Sequence, residues 1–229
     1  MTTIVLTARD MDLLAFLALH REVPVDLLAR RFFAKNPFTG APNAVPLKPC
    51  TRRLRDLSAH GYLHLERVTE TPGRRSRPVA RIAERADNPL GQRAARRSIN
   101  PKERIHHLRT LEAVRRVELA AQRRGGRLIE FRVEGALRAA AQRGRKTRRG
   151  DSFDAFPDAL CTIAYPGTSG QRVVRIAVEY VTVKYTGAAI DAKHDSFQRE
   201  YDGAAWFADK RSTAERVKRL TGATCSLLT

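Results

Sequence analysis

Cysteine is scarce in this 229-residue chain. Cys50, Cys161 and Cys225 are far apart and odd in number, which argues against a disulfide framework or a zinc knuckle and fits a reducing cytosol. Long uncharged apolar runs are missing, as are signal-peptide and lipidation patterns, so the expectation is a soluble cytoplasmic protein with no membrane partner. Aromatic residues make up only 7%, too few for the stacking platforms on which single-stranded nucleic acids are held. No internal repeat is visible. Acidic residues are the last shortage: Asp+Glu 24 stand against Lys+Arg 43, a formal net charge of +19. Such an excess implies a polyanionic partner, because each phosphate neutralised releases counterions and adds salt-sensitive affinity. Hydrophobic residues at 42% are enough to build a core, so the basic character is not that of a disordered tail.

Residues 1–85 carry the pattern of a small domain. Thr7-Ala8-Arg9-Asp10 is a capping box in its acidic variant, and Met11, Leu14, Leu17 and Ala18 follow at helical spacing. Pro24 suits the first turn of a second helix, Val25 to Phe33. After a Pro/Gly/Asn-rich loop, a third helix is expected from about Pro49 to His60, stopped by Gly61. Its Cys50, Leu54 and Leu57 share one face, while Arg52, Arg53 and Arg55 point mostly the other way. Tyr62 to Glu66 alternates as a half-buried strand does, Pro72-Gly73 turns the chain, and Pro78 to Ile82 returns it. The turn holds Arg74, Arg75 and Arg77. Three helices and a two-stranded wing make a winged helix-turn-helix, whose third helix enters the major groove while a basic wing straddles the backbone. All six arginines are therefore candidate contacts to double-stranded DNA. A small α+β domain with solvated arginines is the alternative.

Residues 86–103 read as a basic linker, and 104–229 as a second domain. A helix carrying Ile105, Leu108, Leu111 and Val114 ends at Gly125-Gly126; Leu128 to Val133 alternates as a strand; Glu134 opens a short helix. Gln142 to Gly150 is a second basic run. Ala155 to Tyr165 and Arg172 to Lys184 form an antiparallel pair, then one helix is expected from Ala188 to Ala208 and another from Ser212 to Leu220. The whole is an α+β chain whose second domain is an α/β sandwich around a small mixed sheet.

Phe156-Pro157-Asp158-Ala159, followed by Arg175-Ile176-Ala177-Val178-Glu179, is where chemistry is expected. Hard cations need one or two carboxylates, and a substrate phosphate completes their shell. The order Glu134, Asp158, Glu179 and a lysine resembles that of PD-(D/E)-x-K nucleases, where acids hold Mg²⁺ or Mn²⁺ and a lysine handles the attacking water or the developing charge. Val181 occupies the place of the usual lysine. Lys193 is the better candidate to replace it, ahead of Lys184. A nuclease-like fold without catalysis is the alternative.

Several stretches together resemble the replication-relaxation family of plasmids and integrative elements. These are Leu6 to Asp10 with Leu13, Leu14 and Leu17, Leu27 to Phe33, Arg52 to Leu57 with Gly61 to Leu63, His107-Leu108, Glu134, Pro157 to Ala159, Val178-Glu179, and Lys193 with Tyr201. The resemblance implies a winged helix joined to a nuclease-like domain, working in replication, relaxation or mobilisation at an origin, similar to MobC-type plasmid relaxases. It implies metal ligation by Asp158 and Glu179 with support from Glu134, catalysis by these acids with Lys193, and relaxosome or replication proteins as partners. Whether the chain forms a homodimer stays open. The competing expectation is a winged-helix transcriptional regulator with a non-catalytic second domain.

Overall fold

The computed structural model describes residues 4–35, 45–69, 76–83, 101–144, 156–168 and 170–228. Among them are seven helices and two sheets, a mixed α+β chain dividing into two units, Met1–Leu108 and Arg109–Thr229.

In the first unit, α1 (Ala8–His20) starts at the expected capping box: the Thr7 hydroxyl accepts the Asp10 N–H, and the Asp10 carboxylate accepts the Thr7 N–H at 2.8 Å. β1 (Glu22–Pro24) leads into α2 (Val25–Phe32), and α3 (Leu47–Ala59) follows. The chain leaves α3 through Gly61, whose φ of 76° only glycine adopts without strain, and the Tyr62 N–H reaches back to the Leu57 carbonyl. β2 (Leu63–Val68) and β3 (Arg77–Ile82) form the expected hairpin. β1 is an addition; it pairs antiparallel with the far side of β3, giving the order β1-β3-β2. Three residues are too few to show alternation. Of the stripe expected on α1, Leu14, Leu17 and Ala18 are buried and Met11 is half-buried; Leu13 joins them, and Leu28, Leu54 and Leu57 complete the core.

Helix α4 (Pro101–Arg123) begins inside the expected linker, with Pro101 at its first position, where its missing N–H costs nothing. Its first turns belong to the first unit. Leu108 packs on Val68 and Val79, Arg104 bridges Glu22 and Glu66 at 2.6 Å each, and the His107 Nε2 lies 2.8 Å from the Glu22 carbonyl.

In the second unit, β4 (Arg127–Val133) is followed by α5 (Glu134–Gly144), the hairpin β5 (Ala159–Gly167) and β6 (Gly170–Val181), then α6 (Gly187–Glu200), β7 (Gly203–Ala208), α7 (Arg211–Thr221) and β8 (Cys225–Leu227). The sheet runs β4-β5-β6-β7-β8, antiparallel from β4 to β6 and parallel from β6 to β8. The expected helix over Ala188–Ala208 stops at Glu200, and its second half is a strand. Alanine favours helices, but Gly203 to Ala208 is the strand between β6 and β8, and Trp206, Phe207 and Ala208 are buried in succession, so alternation is lost. Trp206 packs there with Ile190, Phe197 and Val217. The apolar tail after Gly222 likewise contains a strand, β8. No helix among the described residues is long and apolar enough to cross a membrane.

Two histidines of the first unit, His20 buried and His107 half-buried, are disfavoured in their charged form. Burial, aided by nearby positive groups, pulls His20 down to about 3 and His107 down to about 4. The unfolded chain takes up protons at both positions below about pH 6.5, while the folded chain resists until much lower pH. Their stabilisation is therefore complete above pH 6.5 and is lost as pH falls. Thermal melting should show a loss on the order of 1.4 kcal/mol per pH unit for each histidine between pH 6 and 4.5. His107→Gln should flatten that slope; a slope unchanged by the substitution would contradict the lowered His107 pKa.

Candidate active site

The pairing of β5 with β6 sets Ala159 opposite Val178 and so brings Asp158 beside Glu179. The two acids are joined through the backbone. The Asp158 N–H donates to Glu179 Oε2 at 3.1 Å, and the Tyr180 N–H donates to Asp158 Oδ2 at 2.8 Å. The Asp158 carbonyl in turn accepts the Glu134 N–H at 2.8 Å, tying the start of α5 to the same point.

Lys193 arrives from α6. The Thr186 hydroxyl caps this helix by accepting the Ala189 N–H, and Ile190 and Phe197, both fully buried, lie three before and four after Lys193. That spacing puts Lys193 on the stripe facing the sheet. Its Nζ donates to Glu179 Oε1 at 2.6 Å and to the Phe156 carbonyl at 3.1 Å, so one ammonium holds both the acid and the turn before Asp158. The sequence reading had selected Asp158, Glu179 and Lys193, and the fold brings them together. Val181 lies in the core, and Lys184 is exposed in the turn after β6.

Glu179 is fully buried and Asp158 is 5% exposed. Burial, reinforced by the neighbouring Asp158 charge, pushes the Glu179 carboxyl above its usual range; Lys193 and Tyr185 oppose that shift. Two carboxylates held this closely attract a cation, and Lys193 already supplies one positive group. Their oxygens are of the kind that suits Mg²⁺ or Mn²⁺, which keep waters and take one or two protein carboxylates. Glu134 stands apart from the pair in one respect: its carboxylate is held by Arg138 at 2.5 and 2.9 Å, while its backbone braces Asp158. Among the described residues, no group of three or more His, Cys, Asp or Glu side chains is arranged to hold a metal ion.

Tyr185 escaped the sequence reading. Its hydroxyl donates to Glu179 Oε1 at 2.9 Å, and its ring lies 5.6 Å from Lys193 Nζ. It sits beyond the end of the strand, where no periodicity marks it. Tyr180 was missed too. It donates to Asp209, whose other oxygen lies 3.4 Å from Arg109 Nε.

The six arginines expected to contact DNA divide. Arg52 and Arg55 are exposed on α3. Arg53 is committed elsewhere: its guanidinium donates to both Asp10 oxygens, at 3.0 and 2.6 Å, and to the Val5 carbonyl at 2.8 Å. Burial alone would raise the Asp10 carboxyl, but the hydrogen bonds from Arg53 and Thr7 outweigh it and hold it below the usual range. Arg53 therefore clamps α1 to α3 rather than presenting itself to a ligand. Arg77 lies 3.4 Å from Asp26, and Arg74 and Arg75 fall outside the described residues. A groove of about 290 Å³ runs beside α3, lined by Thr51, Leu54, Arg55, Leu65, Arg67 and Pro78 among others.

No protein-family model, no curated protein and no solved structure matches this chain.

Arg53→Ala should cost about 3 kcal/mol of stability, since it removes the charge partner of a fully buried carboxylate and leaves it only its Thr7 hydrogen bonds. Arg52→Ala and Arg55→Ala should each stay within about 0.5 kcal/mol. Chemical denaturation of the three variants checks the division; equal effects would contradict it.

Proposed function

We propose that the chain binds double-stranded DNA through its first unit and cleaves a phosphodiester bond, with a divalent metal ion, through its second. The setting that fits is an origin of a plasmid or integrative element, where replication, relaxation or mobilisation needs a nick, alongside other relaxosome or replication proteins. One observation carries the reading: Lys193 from α6 and the backbone N–H of Asp158 from the turn before β5 converge on the carboxylate of Glu179, at 2.6 and 3.1 Å. A fully buried carboxylate beside a second acid is costly to a fold, and such a pair marks a candidate catalytic site.

The first unit is read as a winged helix. Three helices precede the β2–β3 hairpin, and exposed Arg52 and Arg55 lie on the helix that would meet the major groove. The second is read as a PD-(D/E)-x-K nuclease-like unit. An antiparallel β4-β5-β6 set leads through α6 into parallel β7, with Asp158 just before β5, Glu179 on β6 and Lys193 displaced onto α6. Asp158 and Glu179 would hold Mg²⁺ or Mn²⁺, which polarises a phosphate oxygen and makes bound water a better nucleophile. Lys193, held 2.6 Å from Glu179, is within reach of charge building on the phosphate and keeps the turn before Asp158 in place. Glu134 supports Asp158 through its backbone.

A second reading is a transcriptional regulator with a retired site. The observation that favours it is that Glu179 Oε1 already accepts both Lys193 and Tyr185. A regulator would use neither acid in any reaction with DNA.

Duplex binding measured by anisotropy across a salt series tests the first unit. Affinity should fall steeply with salt, and Arg52→Ala with Arg55→Ala should reduce the slope by about two units if both arginines meet phosphates. Asp158→Ala should leave low-salt affinity unchanged or higher, because a carboxylate near phosphate repels it. An unchanged slope in the arginine double variant would overturn the proposed DNA contact.

A further inference from the structure

Among the described residues, Glu179 accepts three hydrogen bonds, distributed unevenly. Oε1 receives the Lys193 ammonium at 2.6 Å and the Tyr185 hydroxyl at 2.9 Å, while Oε2 receives only the Asp158 N–H at 3.1 Å. A carboxylate oxygen offers about two lone-pair positions. Among the described residues, Oε1 is therefore saturated and Oε2 keeps one acceptor position, on the oxygen bonded to the Asp158 backbone. A cation drawn to this pair would meet Glu179 through Oε2.

Tyr185 does two things at once. Its ring lies 5.6 Å from Lys193 Nζ, with the Phe197 ring 6.0 Å away on the same ammonium, and its hydroxyl reaches past to Glu179. The ring steadies the lysine, and the hydroxyl fills the second acceptor position on Oε1. Without the hydroxyl, Lys193 on Oε1 and the Asp158 N–H on Oε2 would still hold the Glu179 carboxylate, but each oxygen would keep one open acceptor position. With the hydroxyl in place, opening a position on Oε1 breaks a hydrogen bond in a buried site, where that loss is expensive.

We infer that Tyr185 is a positioning residue: its hydroxyl saturates Glu179 Oε1, and so fixes Oε2 as the oxygen offered, together with Asp158, to a divalent cation. The inference rests on the metal-site reading above. Tyr185 acts on the metal only through Glu179 and touches no reacting atom. Partners that orient metal ligands in this way are worth roughly 10- to 100-fold in metal affinity.

Tyr185→Phe isolates the hydroxyl, because it keeps the ring beside Lys193. Mn²⁺ binding to the full chain without DNA, read by electron paramagnetic resonance of the free ion, should show one site in the wild type. Asp158→Asn should abolish it, and Tyr185→Phe should weaken it about tenfold or more. In nicking of supercoiled plasmid DNA, Tyr185→Phe should raise the half-saturating Mn²⁺ concentration by a similar factor and leave the rate at saturating Mn²⁺ within about threefold of wild type. A role in folding alone would lower the melting temperature and leave the Mn²⁺ midpoint unmoved. Wild-type Mn²⁺ affinity in Tyr185→Phe, alongside loss in Asp158→Asn, would overturn the inference and leave the metal site standing. A wild-type protein that binds no Mn²⁺ would overturn both.

Discussion

Asp158 and Glu179 hold each other through the backbone. Each carboxylate accepts an N–H from the strand or turn of the other, and this exchange across β5 and β6 is what makes the rest of the second unit intelligible. A hairpin with nine consecutive register pairs fixes their separation. The second anchor is α6, which can present Lys193 only because Ile190 and Phe197 are buried against Trp206 and Val217. A site carried by strands and a packed helix is held more tightly than one carried by loops. It is also electrostatically tense, since Glu179 has no access to water and shares its surroundings with a second acid. Lys193 relieves part of that tension, and a divalent cation would relieve more.

The first unit uses charge in a different manner. Arg53 and Asp10 form a forked pair that serves the capping box at one end and the third helix at the other, so a single buried aspartate organises two helices. Arg104 does a comparable job between β1 and β2, through Glu22 and Glu66. A net charge of +19 is therefore not a uniform coat. Some of the arginines are structural, and it is exposed ones such as Arg52 and Arg55 that remain available to a polyanion.

Local signals were the legible part of the sequence. Thr7 with Asp10, Gly61 and the apolar stripes of α1 to α3 state their structures within a turn or two of chain, and the structure follows them closely. The acids and Lys193 were legible because order along the chain and the expected strand pairing were enough to converge them. What escaped depends on partners distant in sequence. β7 is rich in alanine and is a strand only because β6 and β8 flank it; β1 and β8 exist through pairing alone. Arg53 was grouped with Arg52 and Arg55 because it shares their helix, whereas Asp10, 43 residues away, decides its role. Tyr185 carries no spacing signal, and only the path of the chain after β6 brings it to Glu179.

The proposal that Asp158 and Glu179 form a metal-dependent phosphodiester-cleaving site is tested most directly by conversion of supercoiled DNA carrying the native locus to the open-circular form, with Mg²⁺, with Mn²⁺ and with EDTA. Wild-type protein should nick the DNA with either ion and not in EDTA, and Asp158→Asn should not nick it under any of the three conditions. Nicking that persists in EDTA, or a wild-type protein that binds this DNA and leaves it supercoiled with both ions, would contradict it.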